Sequence, residues 1–244
     1  MKTQTLIILI LIWFPVGIKT NCFAQQKSWS TMEDIRQVTM LASAGKWETI
    51  KQDKGVTLSS RWLTFGDSLK TREISSSFVA DADIQSVLAH LLHPRKVLAW
   101  NDGARSMKVL NREEQTWITH TVYDIPYPFS QQDLVVKNTM LAENGKTIIL
   151  ISALPDFIAP LNNVTRQQLY FGKWELVPLD SRTTRVSFSA ISFSKSGIPR
   201  FVRDPVIQNK LFNSFVRLKE LATATDKPAG DQITTHPTTF EISW

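Results

Sequence analysis

Four histidines, one cysteine and a few adjacent charged residues are the side chains of this 244-residue sequence that could carry polar chemistry. His90 and His93 stand three apart at the end of a helical stretch, a spacing that lets them share a helix face. A catalytic zinc needs a third protein ligand beside such a pair, and none is evident in the sequence, so helix end and turn is the better reading of both. His120 falls mid-strand beside Trp117, Ile118 and Tyr123. It either points into an interior space and hydrogen-bonds the polar end of a bound molecule, or it is a satisfied sheet residue. His236 belongs to the C-terminal tail. Glu113-Glu114 sit in a turn and are read as solvated. Arg72 and Glu73 are neighbours on a strand and so face opposite sides. Either one could be the inward member, and a buried charge would then need a partner.

Motifs for catalysis are absent. The sequence has no Gly-x-Ser-x-Gly elbow, phosphate loop, dinucleotide fingerprint or His-Glu-x-x-His. Cys22 is the single cysteine and lies in a segment expected to be removed, which leaves no disulfide, thiolate nucleophile or cysteine metal site. No metal, no cofactor and no enzymatic activity are therefore expected. The formal net charge is +6, falling to about +4 once Lys2 and Lys19 are gone. Without a run of like charges this excludes nucleic acid as the main partner and leaves room for transient contact with a membrane surface.

The elements that must position these residues begin after a leader. Met1-Lys2 is a short positive start, Leu6 to Trp13 an apolar run, and Cys22-Phe23-Ala24 supplies small residues for cleavage. This is the three-part pattern of a secretory signal peptide over residues 1–24, cut after Ala24, and it predicts a periplasmic or secreted protein. The apolar run is too short to span a bilayer, which takes about 20 residues, and Lys19-Thr20-Asn21 does not suit lipidation of Cys22.

Residues 25–222 form the predicted domain. Trp29, Met32, Ile35, Val38, Thr39 and Ala42 recur at helical spacing up to Gly45. Strands follow over Gly55–Phe65 and Leu69–Phe78. A short helix starts at Asp81 with Ile84, Val87, Leu88, Leu91 and Leu92 on one stripe, and a second runs from Arg95 to Trp100. Ser106 to Ser192 reads mostly as strand: Thr116–Asp124, Asp133–Leu141, Thr147–Ala153, Gln167–Phe171, Trp174–Pro178 and Thr184–Ser192. Asn144-Gly145 between two apolar runs is a strong hairpin signal. A long helix spans roughly Pro199 to Ala222, with Pro205 at its regular start or at a kink, and residues 223–244 are a polar tail. The fold class is α+β: one curved antiparallel sheet wrapped around a long C-terminal helix. A single helix cannot fill so wide a concavity, and what remains is a cavity suited to an apolar ligand.

Several segments resemble the START (steroidogenic-acute-regulatory-related lipid transfer) domain family. They are Val97 to Asn101, with Trp100-Asn101 at a helix end; Met107 to Leu110; Ile125 to Val135, which holds Pro126-Tyr127-Pro128-Phe129 and Gln132-Asp133; Arg166; and Gly197 to Phe201. The likeness runs from about Glu33 to Ala222. Gln132 and Asn101 depart from the family's usual arginine and aspartate.

The resemblance implies a helix-grip fold and a monomer that binds a lipid or other hydrophobic molecule internally. The expected lining is Trp117, Thr119, His120, Thr121, Tyr123, Val135 and Lys137, roofed by Phe201, Phe212 and Phe215. It also implies that the rigid Pro126, Tyr127, Pro128, Phe129 loop and the terminal helix gate the mouth. The alternatives are a structural or interaction protein whose cavity is filled by its own side chains, and an enzyme of the same superfamily, a cyclase or hydrolase acting on an apolar substrate. That would place His120 beside an inward acid.

Overall fold

The computed structural model describes residues 42–66, 69–125, 127, 130–193 and 200–225. The expected leader, the helix over Trp29 to Leu41, Pro126, Pro128 and Phe129 of the loop, the Phe201 side chain and the tail from 226 lie outside the described residues.

Eleven strands form one sheet: β1 (Ala42–Ala44), β2 (Glu48–Asp53), β3 (Val56–Phe65), β4 (Leu69–Ala80), β5 (Ala104–Arg112), β6 (Thr116–Tyr123), β7 (Gln132–Glu143), β8 (Lys146–Ala153), β9 (Thr165–Arg166), β10 (Leu169–Pro178) and β11 (Thr184–Phe193). The order is β1-β3-β4-β11-β10-β8-β7-β6-β5, with β2 also on β3 and β9 on the start of β7. Every pairing is antiparallel except β7–β9. Between β4 and the far-edge strand β5 the chain runs through α1 (Ile84–Leu92) and α2 (Pro94–Trp100), and it ends in the long helix α3 (Arg200–Thr225).

Local chemistry accounts for the turns. Lys54-Gly55 and Asn144-Gly145 both have positive φ at the two central residues, as a two-residue hairpin matched to strand twist requires. α1 is capped by Asp83, whose carboxylate accepts from the Ser86 amide at 2.7 Å. Pro94 opens α2, where its missing N–H costs nothing. The Trp100 indole N–H donates to the His90 carbonyl at 2.8 Å and locks the two short helices together.

One face of the sheet takes the helices. Val56 and Leu58, Phe78 and Ala80, Val186 and Phe188, Trp174 and Leu176, Ile149 and Trp117 form a single core with Val87, Leu88 and Leu91 of α1, Trp100 of α2, and Phe212, Phe215, Leu218 and Ala222 of α3. Trp174 packs against Phe188 in a tilted pair with ring centres 4.5 Å apart and meets Trp100 and Phe215 edge-on at 5.9 and 6.0 Å. Burying each large side chain contributes about 1.5–3 kcal/mol before ordering costs. This is the α+β helix-grip plan predicted from the sequence.

The differences are local. Ala42, read as helix, is the first residue of β1, and β2 has no counterpart in the sequence reading. α1 is capped by Asp83, two residues after the expected start at Asp81. Gln167–Phe171 and Trp174–Pro178, read as two strands, are largely one: β10 runs unbroken through Gly172-Lys173 because β8 and β11 hydrogen-bond it on both sides. Pairing overrides local propensity there. α3 (Arg200–Thr225) holds Pro205 inside it and continues through Thr223–Thr225, which the sequence reading places in the tail.

Candidate functional site

Alternation along each strand decides which side chains face α3. Trp117 belongs to the core, so Thr119, Thr121 and Tyr123 of β6 lie on the same concave face. Register carries that face across the sheet. Thr121 pairs with Leu134, Thr119 with Val136 and Trp117 with Asn138. Asn138 pairs with Ile151, Ile151 with Gly172, and Gly172 with Ala190. Tyr170 is two residues before Gly172 and pairs with Ser192.

The face has two parts. One is the close-packed core under α1, α2 and the C-terminal half of α3. The other is lined by Thr119, Thr121, Tyr123, Leu134, Asn138, Ile151, Tyr170 and Gly172. From Asp204 to Leu211, α3 has no fully buried residue, whereas Phe212, Ser214, Phe215, Val216 and Leu218 are all buried. The two phenols of the second part lie deep in the molecule: burial raises the Tyr123 and Tyr170 pKa values, and for Tyr170 the nearby Tyr123 adds to the rise. Both residues are half-buried. The Asn101 side chain, at the end of α2, lies beside the Tyr123 phenol and opposes part of that rise. Gly172 keeps the floor open. A Cβ there would stand 3.2 Å from Tyr170 Cε1 and 3.3 Å from Ile151 Cδ1.

No charged side chain of β6, β7, β8, β10 or β11 faces the concavity. Inward charge comes from the flanking strands: Arg112 of β5 pairs with Trp117 and lies 5.8 Å from its ring centre, and β4 supplies Arg72. Arg72, paired with Trp62, stacks its guanidinium 4.6 Å over that indole, donates to Ser60 Oγ at 3.3 Å and lies 3.6 Å from Asp204 of α3. Glu73 faces the other way and is bound by Arg61 at 2.6 Å. The open question of which neighbour points inward is thus settled in favour of Arg72.

The convex face holds a second polar centre. Arg166 grips Asp133 with two hydrogen bonds, Nε to Oδ1 at 2.9 Å and Nη2 to Oδ2 at 2.7 Å, and also donates to the carbonyls of Pro155, Ile158 and Ala159. His120 Nε2 lies 2.8 Å from Asp133 Oδ2. Burial acts to raise the Asp133 pKa, but the hydrogen bonds and charges of Arg166 and His120 outweigh it and hold the carboxyl below its usual range. With Asp133 fully buried and the Arg166 side chain 3% exposed, this cluster clamps the 155–159 segment to the sheet.

Of the expected lining, Thr119, Thr121 and Tyr123 are brought together, while Trp117, Phe212 and Phe215 belong to the packed core. His120, Val135 and Lys137 are corrected. They fall on the opposite face, because His120 is one residue out of phase with Thr119, and it pairs with Val135 while Ile118 pairs with Lys137. His120 does sit beside an acid, but both point away from the concavity. In the proline loop Tyr127 is 96% exposed, and its base is closed by Gln131, whose side chain both accepts from the Ile125 N–H at 3.0 Å and donates to the Ile125 carbonyl at 2.7 Å. Tyr170, Gly172, Ile151, Asn138 and Asn101 were missed. The Asn144-Gly145 turn could have found two of them, since a two-residue hairpin fixes Met140 opposite Ile149 and Asn138 opposite Ile151. Among the described residues no cluster of three or more His, Cys, Asp or Glu could hold a metal.

No family model matches the chain. An uncharacterized protein of Pseudomonas aeruginosa is 23% identical over 207 residues, covering 80% of this chain and all of that one. Among solved structures, the STAR-related lipid transfer protein from Xanthomonas axonopodis superposes with a TM-score of 0.63 at 19% identity, covering 73% of this chain and 99% of that one. Human STARD10 gives 0.65 at 12% identity, covering 81% and 82%.

Proposed function

The chain has the START-domain fold, and on that basis we propose that it is an exported, non-enzymatic carrier that holds one lipid between the concave face and the N-terminal half of α3. The observation that supports this reading is the contrast between the two halves of α3: Phe212, Phe215 and Leu218 are buried in the core, whereas no side chain from Asp204 to Leu211 is fully buried, and Tyr123, Leu134, Ile151 and Tyr170 of the concave face are only half-buried. Filling that space with an apolar molecule would contribute about 25 cal/mol per Å² of apolar surface before ordering costs. The similar Xanthomonas protein carries lipid transfer in its name, and exchange of lipid through movement of the N-terminal half of α3 is the matching activity in this reading. β6, β7, β8, β10 and β11 turn no Asp, Glu or His toward the concavity, and the His120–Asp133 pair faces outward, which supports binding over hydrolysis or cyclisation. Export rests on the leader pattern of residues 1–24.

Intact-mass spectrometry of the protein starting at Gln25, followed by solvent extraction, tests the proposal. A co-purifying lipid near one-to-one stoichiometry is expected, together with its transfer between vesicles. Protein that is empty and takes up nothing from mixed vesicles sinks the carrier reading. Cell fractionation with N-terminal sequencing tests export separately.

A further inference from the structure

We infer that the carried lipid has a zwitterionic head, a phosphate or carboxylate linked to a primary ammonium, and that this head is received between Arg72 of β4 and Asp204 of α3. The inference rests on the carrier reading above and narrows its substrate class. Three observations lead to it.

The first is where Arg72 stands. Ile74 pairs with Ala190 and Ala190 with Gly172, so the three share a row on the concave face. Arg72 is two residues before Ile74 and Tyr170 two before Gly172, on the same face and toward the same end of the sheet. Arg72 thus borders the recess under the N-terminal half of α3. Its guanidinium is held against the wall: Nη1 donates to Ser60 Oγ at 3.3 Å, and the guanidinium carbon lies 4.6 Å over the centre of the Trp62 ring.

The second is an unused donor. Arg72 Nε is buried and hydrogen-bonds no described residue. Asp204 Oδ2 lies 3.6 Å from it, beyond the reach of a charge-assisted hydrogen bond, which is about 2.7–2.9 Å long. Buried polar groups in native proteins nearly always have a partner, and one without calls for a group that is not yet there.

The third is that the two charges come from different elements. Arg72 is fixed on the sheet, whereas Asp204 belongs to the half of α3 that buries no side chain fully. A long, partly exposed pair contributes little, so it can part and leave a cation facing an anion across a gap. A head with an anion alone would gain Arg72 and meet Asp204 as a like charge, and a cation alone would meet Arg72. A neutral oxygen could accept from Nε, yet it offers Asp204 nothing in exchange for Arg72. A zwitterion replaces one long contact with two charge-assisted hydrogen bonds, its anionic oxygen on Arg72 and its ammonium on Asp204. Arg112, the other inward cation, lies at the opposite edge over Trp117, and β6, β7 and β8 turn no carboxylate toward it.

The test uses the protein from Gln25 onward and vesicles carrying one fluorescent probe at a time, with matched chains: a phosphatidylethanolamine, an ornithine lipid, a phosphatidylglycerol or a diacylglycerol. At least one of the first two is expected to bind roughly tenfold more tightly than either of the others, the scale of one hydrogen bond to a charged group. Which of them does so identifies the anion as phosphate or carboxylate. Arg72→Gln is expected to abolish that preference. Asp204→Asn is expected to weaken the zwitterion several-fold and to strengthen phosphatidylglycerol, whereas loss of a merely structural contact would move all probes together. Circular dichroism confirms that the variants fold, and Asp204→Asn alone decides the matter if Arg72→Gln does not. Phosphatidylglycerol or diacylglycerol binding as tightly as both zwitterions, a preference that survives Arg72→Gln, or an equal effect of Asp204→Asn on every probe overturns the inference and leaves the carrier reading standing. Failure of all four probes overturns both.

Discussion

Arg72 Nε on the sheet lies 3.6 Å from Asp204 Oδ2 on α3, and this ion pair ties the half of the helix that buries no side chain fully to the wall beneath it. The other half is held by Phe212, Phe215, Leu218 and Ala222 in the core. The two ends of α3 are thus fastened by different forces, one ionic and partly exposed, the other apolar and buried.

Opening of α3 should therefore begin at its N-terminal half. Asp204→Asn is expected to cost at most about 1 kcal/mol of stability, since both partners are partly exposed to solvent. It should raise the rate of ligand release several-fold. Stopped-flow transfer from loaded protein to acceptor vesicles reads the rate. An unchanged rate would show that the pair does not limit opening.

Asp133 is the opposite case. Asp133→Asn leaves Arg166, 3% exposed, without its carboxylate. Breaking a buried pair typically costs about 3–5 kcal/mol, or a fall in melting temperature on the order of 10 °C for a domain of this size. The 155–159 segment, whose carbonyls Arg166 also binds, should become the first site of limited proteolysis. A variant that melts with the parent would mean that the clamp is not a stabilising one.

Stability should fall with acid in two stages. Burial, and then the charge of Lys96, lower the His90 pKa, so below about pH 6.5 the unfolded chain takes up the proton first and stability declines. The Asp133 pKa is also lowered. Its contribution is complete above about pH 3.9, the unfolded value, and is lost as pH falls through the folded value. Calorimetric melting from pH 3 to 8 should show both stages, with His90→Gln flattening the upper one. Identical profiles for parent and variant would remove His90 as the cause.

Gly172 sets the size of the recess. Gly172→Val adds bulk that meets the Tyr170 ring at 3.2 Å and Ile151 at 3.3 Å, both movable side chains. The fold should survive with a melting temperature a few degrees lower, while lipid stoichiometry in the extracted protein drops well below one. Full loading of this variant would place the ligand elsewhere.

Much of this fold was legible in the chain. The i, i+3, i+4 stripe of Ile84 to Leu92, the Asn144-Gly145 turn and the β-branched run of Thr116 to Tyr123 are local signals, and the structure follows each of them. Gly172-Lys173 looked like a break because the two residues have little strand preference of their own. Only the ladders of β8 and β11 on either side make them strand.

The candidate site was legible only in part, and the reason is parity. The sequence by itself determined that Thr119, His120 and Thr121 lie on one strand. Alternation then separates His120 from its neighbours, but not even a perfect strand assignment says which set faces the helix. That was decided when Trp117 entered the core with Trp174, and when Asp133 and Arg166 closed on His120 from the other side. Tyr123 and Tyr170, 47 residues apart in the chain, meet only because β7, β8 and β10 bend the sheet between them. Local propensity is encoded within a few residues and can be read there. The partner of a buried polar group is set by contacts distant in sequence, and those exist only once the sheet has curved around the helix.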